Sequence, residues 1–257
     1  YYAEAVRVDP ADFSSVFNLG SMHQLLALTT DRVRSLEAAI RSYLHAGSLR
    51  PDNVEVYLNL GICSHQLGRL DTAVDYYKRA IANDRTNAVA FVNLGAAYEV
   101  QGRFYDAIRA YKNALERDTN QPIVHVNLGT IYFKQGRMAA AVNSFEVALR
   151  LDEKLAVAYE RLAYCRYRER QFDEAYQIYN RALELDPKNA QAFAGRGVVQ
   201  MALFLNHADQ PTLRDRAIED WHCSLELDPN QTRLQALIAK YEPARLQAPV
   251  LLNSAEP

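Results

Sequence analysis

The sequence is short of the features that usually announce an activity. Only three cysteines, Cys63, Cys165 and Cys223, stand among the 257 residues. An odd and sparse set excludes a disulfide framework. Cys63 and Cys165 are expected to be buried, reduced thiols, which leans toward a reducing compartment such as the cytoplasm and leaves the periplasm open. No apolar run approaches the ~18 residues a bilayer span needs, so direct membrane insertion is not expected. Neither sign of charge dominates: the net charge is −2 and the pI about 6.3. That balance gives no general pull toward nucleic acid or anionic lipid.

Catalytic and metal-binding patterns are missing as well. The six histidines, His23, His45, His65, His125, His207 and His222, form neither HExxH nor a close Cys/His ligand set. His222 and Cys223 are sequence neighbours, and neighbours on a helix do not share a face. The segment GRGVVQ at 195–200 lacks a third glycine and follows no strand, so it is not a dinucleotide loop. The sequon Asn230-Gln231-Thr232 reads as a chance match. No catalytic residue, cofactor or metal is expected.

What the sequence has is repetition. It reads YLNLGICSHQLG at 57–68, FVNLGAAYEVQG at 91–102 and HVNLGTIYFKQG at 125–136. Gly61, Gly95 and Gly129 are 34 residues apart. The same step separates Ala73, Ala107, Ala141 and Ala175, then Tyr77, Tyr111, Phe145 and Tyr179, then Ala80, Ala114, Ala148 and Ala182. A fixed period in this range marks a repeat architecture. With Asn53 closing a unit, each repeat has an aromatic or similar residue at position 4 and Leu-Gly at 7 and 8. Gly follows near 15, Ala at 20, an aromatic at 24, Ala at 27 and, in some units, Pro at 32.

This pattern resembles the tetratricopeptide repeat family, over residues 1 to about 230. The resemblance implies an all-α fold: a right-handed superhelical solenoid of helix–turn–helix units, here numbered helix A and helix B of each unit. The solenoid is expected to run over 1–246. It comprises a half repeat at 1–12, full repeats at 13–53, 54–87, 88–121, 122–155, 156–189 and 190–231, and a capping helix at about 231–246. Residues 247–257 read as an extended tail. The half repeat begins in the middle of a B helix, which leaves the N-terminal end uncapped and open to a larger complex. Seven inserted residues around ALTTDRVR and eight around FLNHADQPTL are expected as surface loops between helices A and B. Leu234, Leu237, Ile238 and Tyr241 form the apolar stripe of the capping helix. Arg196 takes position 7, normally Leu, and is expected to form a local salt bridge over a packed aliphatic stem. Most of the sixteen tyrosines fall at packing positions.

An α-helix turns about 100° per residue. Positions 7, 8 and 11 then fall on the side of position 4 and should be buried, while position 6 faces away with 2, 9 and 13. Asn18, Asn59, Asn93 and Asn127 all hold position 6. Asn is a poor helix former, roughly 0.6 kcal/mol worse than Ala, so a row of four calls for a reason. Each amide offers two donors and an acceptor, the complement of a peptide group. The row is similar to the asparagine ladder in the repeat domain of O-linked N-acetylglucosamine transferase, which implies that it binds the backbone of an extended chain. The competing reading is that each Asn bonds only the neighbouring repeat or water.

The row stops at Arg161. Tyr164, Tyr167 and Arg168 share its face, a set able to hold a carboxylate, a phosphate or an aromatic side chain. The plainer alternative is a solvated face with Arg168 paired to Glu169 or Glu160. Position 5 reads Phe17, Leu58, Val92, Val126 and Glu160. The lysine by which chaperone-tail binders of the family hold a terminal carboxylate is therefore absent. The apolar members point instead to a partner with hydrophobic side chains. Together these features point to a non-catalytic scaffold or adaptor that grips an extended peptide or partner protein in its concave groove. The alternatives are a recognition domain of a larger enzyme, such as a glycosyltransferase, and a structural or assembly subunit of a membrane or cell-envelope complex.

Overall fold

The computed structural model describes residues 1–206 and 210–242. Their regular structure is helical throughout. The chain divides into two compact units, Tyr1–Asp152 and Glu153–Pro257. The first contains α1 (Tyr2–Val8), α2 (Phe13–Leu26), α3 (Arg32–Leu49), α4 (Val54–Gln66), α5 (Leu70–Asn83), α6 (Ala88–Val100), α7 (Phe104–Arg117), α8 (Pro122–Lys134) and α9 (Met138–Leu151). The second contains α10 (Ala156–Arg168), α11 (Phe172–Leu185), α12 (Ala190–Asn206), α13 (Pro211–Leu227) and α14 (Thr232–Tyr241). Within each unit consecutive helices pack on one another, and the A helices α4, α6 and α8 also meet side by side, as do α10 and α12.

Local chemistry sets the boundaries. Asn53 and Asn87 accept the backbone N–H of Val56 and Ala90 at 2.9 and 3.0 Å, capping α4 and α6. Asn189 caps α12 in the same way. B helices end at Asp84, Asp118, Asp186 and Asp228, each accepting the N–H two residues on, which folds the link to the next A helix into an Asx turn. Between helices A and B the chain must turn through the left-handed region. Gly68, Gly102 and Gly136 supply it with φ of 74°, 73° and 74°. Arg69 N–H reaches back to Ser64 C=O at 2.9 Å across Gly68.

In the next unit Arg170 holds this turn at φ 63°, where a Cβ is strained by roughly 1–2 kcal/mol. Gly there relieves the strain but adds freedom to the unfolded chain. Arg170→Gly is therefore expected to stabilise the protein by about 0.5–1 kcal/mol, read as a higher urea midpoint at unchanged slope.

Leu-Gly at positions 7 and 8 has a packing cause. The position 24 ring lies flat on the glycine of its own repeat, so a Cβ on Gly95 would stand 2.7 Å from Tyr111 Cδ1, and one on Gly129 2.7 Å from Phe145 Cε1. Tyr43, Tyr77, Tyr111, Phe145 and Tyr179 are all at most 2% exposed. The fifth repeat carries Ala163 at position 8. Its ring, Tyr179, instead ends against Gly195 of the following A helix, where a Cβ would meet the Tyr179 Cζ and Oη atoms. The room required is the same; the small residue has moved to the neighbouring helix.

Three expectations need correction. The buried stripe of the A helices is wider than positions 4, 7, 8 and 11. Position 3 (Val56, Ala90, Val124, Ala158, Ala192) is almost fully buried; α4, α6 and α8 are each packed by a B helix on both sides. Position 10 (Cys63, Ala97, Ile131, Cys165, Val199) is buried as the two cysteines led one to expect. The apolar residues at position 5 are not held out for a partner. Val126 is 5% exposed, and Phe17, Leu58 and Val92 pack against the core clusters. Much of each insertion lengthens a helix, while residues 27–31 remain the turn between α2 and α3. α3 has 18 residues against 14 in α5, with Asp31 capping it through Arg34 N–H at 3.1 Å. α12 and α13 have 17 each. α14 runs to Tyr241, and Glu242, which precedes Pro243, takes extended backbone (φ −70°, ψ 121°); the remainder of the expected capping helix, 243–246, lies outside the described residues. The expected tail at 247–257 and His207 lie outside the described residues.

Candidate functional site

Two faces hold the candidate residues, one in each compact unit. In the first, Asn18, Asn59, Asn93 and Asn127 sit on α2, α4, α6 and α8, and all four are half-buried. The amides of Asn18, Asn59 and Asn93 have no side-chain hydrogen-bond partner among the described residues. Asn127 differs: its amide lies near enough to the Tyr111 hydroxyl of the preceding repeat to favour the ionised phenol slightly. That hydroxyl also donates to Glu99 Oε2 at 3.3 Å, and Lys134 Nζ binds Glu99 Oε1 at 2.9 Å. Burial, followed by the nearby Glu99 charge, pushes the Tyr111 phenol above its ordinary range. Tyr43 shows the same outlet, donating to Gln24 Oε1 at 3.0 Å and meeting Ser21 Oγ at 3.1 Å. Tyr43 and Tyr111 thus carry their hydroxyls through the core to polar side chains of the A helices. Sequence periodicity marked these tyrosines as core and missed their polar ends.

The second unit contains a cleft of about 680 Å³ between α10, α12 and α14. Arg161, Tyr164 and Tyr167 line it, as do Glu160, Tyr179, Gly195 and Arg233; Arg168 does not. Tyr164 and Tyr167 stack with centroids 6.2 Å apart. Ala194, Gly195 and Val198 form the floor on α12, and the end of the Tyr179 ring takes the space a side chain on Gly195 would need. The first turn of α14 and its apolar residues Leu234 and Leu237 close the far wall. Leu234 and Ile238 anchor α14, and Tyr241 meets Trp221 at 6.3 Å.

Glu160 occupies position 5, where other repeats carry apolar residues, and is only 8% exposed. Arg161 Nε stands 3.4 Å from its carboxylate. Burial raises the Glu160 carboxyl above the usual range, and Arg161 only partly opposes it. A raised acid destabilises the fold once ionised: the cost is absent below the ordinary carboxylate range and complete above the raised value. Arg166 binds Glu169 at 3.0 Å and Glu174 at 3.0 Å.

Beneath the floor, α12 is clamped by Arg196. Its Nη2 and Nε meet Asp220 Oδ1 and Oδ2 at 2.6 and 2.8 Å, and Nη1 donates to Asn180 Oδ1 at 2.8 Å. This fork joins α11, α12 and α13. Glu160 and Gly195 were each readable as departures from the repeat, but their convergence with Arg233 was not. It depends on how α14 docks, which no 34-residue period encodes. Among the described residues no group of three His, Cys, Asp or Glu could share a metal ion, and no helix is long and apolar enough to cross a membrane.

Comparison with known proteins fits this architecture. No curated protein sequence matches the chain. Among solved structures, a chain of the APC/C hetero-tetramer Cut9-Hcn1 is similar over 94% of this chain and 45% of its own length, at 19% identity and TM-score 0.74. This chain therefore spans less than half of that one. The Pseudomonas aeruginosa pilF structure is similar over 87% of this chain and 98% of its own, at 22% identity and TM-score 0.69. YrrB, described as a TPR protein with an unusual peptide-binding site, is similar over 77% and 97%, at 21% identity and TM-score 0.56. At these identities the likeness is one of fold. Family profiles described as tetratricopeptide repeat match residues 33–88, 86–154 and 132–197. With the 34-residue period, the ring-on-glycine packing and the paired helices, these matches show that the chain belongs to the tetratricopeptide repeat family.

Proposed function

We propose that the chain is a non-catalytic protein-interaction scaffold that holds an extended segment of a partner along its A helices. The supporting observation is the row on α4, α6 and α8, where half-buried amides lie on adjacent packed helices and two of the three have no partner among the described residues. Half-exposed amides are met by water when free, and a peptide backbone can take that water's place, since one amide can meet both an N–H and a C=O. Fixed helices carry the amides, so little receptor entropy is lost on binding. YrrB, which shares the fold, is described as having a peptide-binding site, and Cut9-Hcn1 is described as a hetero-tetramer.

The test is capture from lysate with the wild-type chain beside a variant carrying Asn59→Ala, Asn93→Ala and Asn127→Ala, after both are shown to melt alike. The expected result is a stoichiometric partner that the variant loses. Asn127→Ala alone should weaken capture less than Asn93→Ala, because the Tyr111 hydroxyl already lies near the Asn127 amide. A partner retained by the triple variant would move the binding surface off this row.

A further inference from the structure

The cleft between α10, α12 and α14 contains a carboxylate where the repeat calls for an apolar side chain. Glu160 is 8% exposed, and burying a charge is costly unless it is well partnered. Its own-chain partner is weak: Arg161 approaches to 3.4 Å with a side chain 45% exposed, and a half-solvated ion pair returns little. The fold does not need Glu160, since Leu58 and Val92 fill the same position in other repeats. A residue that costs stability and lines an open cleft is the kind retained for binding.

The surroundings of Glu160 fit one ligand charge. Tyr164 and Tyr167 offer stacked ring faces, which attract cations, and the Tyr179 ring ends beside the floor at Gly195. Arg233 is exposed on the first turn of α14. With Arg161 it places positive charge toward solvent while the negative charge lies deep. The two layers are complementary to a ligand that is positive at its tip and negative at its flanks.

We propose that this cleft receives a single lysine or arginine side chain from an extended partner segment, seated against Glu160 and the Tyr164–Tyr167 rings, with acidic neighbours of that side chain facing Arg161 and Arg233. This deepens the scaffold reading by naming the chemistry recognised in the second unit. It stands or falls apart from the asparagine row, which belongs to the first.

The test uses the full chain labelled with 3-fluorotyrosine, with the signals of Tyr164 and Tyr167 assigned through Tyr164→Phe and Tyr167→Phe. Acetyl-Asp-Arg-Asp-amide is titrated beside the same peptide carrying norleucine or glutamate at the centre. The arginine peptide is expected to shift both signals saturably and to bind at least about tenfold more tightly than the norleucine peptide. Glu160→Gln should erase that preference while raising the melting temperature at pH 7, a pairing that a purely structural role would not produce. Equal binding of the three peptides, tightest binding of the glutamate peptide, absence of any shift, or an arginine preference that survives Glu160→Gln would each overturn the proposal. None of these results would affect capture through Asn59 and Asn93.

Discussion

Asp220→Ala is expected to destabilise the second unit by about 3–5 kcal/mol, the range for stripping one partner from a buried ion pair. Asp220 is 5% exposed and both its oxygens are held by Arg196. Its removal leaves a largely buried guanidinium, its side chain 21% exposed, beside Asn180 with one acceptor in place of three. The loss is measurable by urea unfolding, and by hydrogen exchange confined to the amides of α11 to α13. The companion variant is more instructive. Position 7 is Leu60, Leu94, Leu128 and Leu162 in the other repeats, so Arg196→Leu combined with Asp220→Ala restores the repeat's own solution. Apolar replacement of a buried ion pair is often neutral or stabilising, and the double variant should regain most of the loss. A single-variant cost under about 1 kcal/mol would mean the pair behaves like a solvated surface bridge.

Gly129→Ala tests the ring-on-glycine packing. Two effects compete. Ala in a helix interior is worth about 1 kcal/mol over Gly. Against it, the new methyl would stand 2.7 Å from Phe145 Cε1, and overpacking a filled core costs typically 1–3 kcal/mol. Phe145 is 1% exposed and has nowhere to go, so the clash should win by about 1–2 kcal/mol. In a Phe145→Leu background the ring is gone and the propensity term should surface, turning Gly129→Ala neutral or stabilising. The change of sign across this double-mutant cycle, read from denaturation midpoints, is the diagnostic result. An additive cycle would place the need for glycine elsewhere.

Both variants show where the sequence was legible. The period, the small residues at position 8 and the rings at position 24 are set by one contact repeated in every full unit but the fifth, so they recur in the sequence at a fixed step. The fold could be read because its energetics are local. The errors came where a residue answers to more than one neighbour. Position 5 looks outward on a single helix, yet Val126 is buried because adjacent A helices close over it. Asn127 looked equivalent to Asn93 until the Tyr111 hydroxyl, arriving from the preceding repeat, came near it. The insertions read as loops because they break the period. Asp31 nevertheless caps α3 and Pro211 starts α13, so the added residues had a helix to extend. Arg161, Tyr164 and Tyr167 were visible as a departure from the repeat, whereas the wall opposite them belongs to α14, which lies outside the repeat and has no register to count from.

The buried thiols have a practical use. Burial pushes Cys63 and Cys165 up to about 12, so almost no thiolate exists at neutral pH, and alkylating reagents attack thiolate. Modification must then wait for the surrounding helices to part. Cys63 lies in the first compact unit and Cys165 in the second. The chain therefore contains two built-in stopwatches, and mass spectrometry of alkylated peptides can time the opening of each unit separately without any label being added.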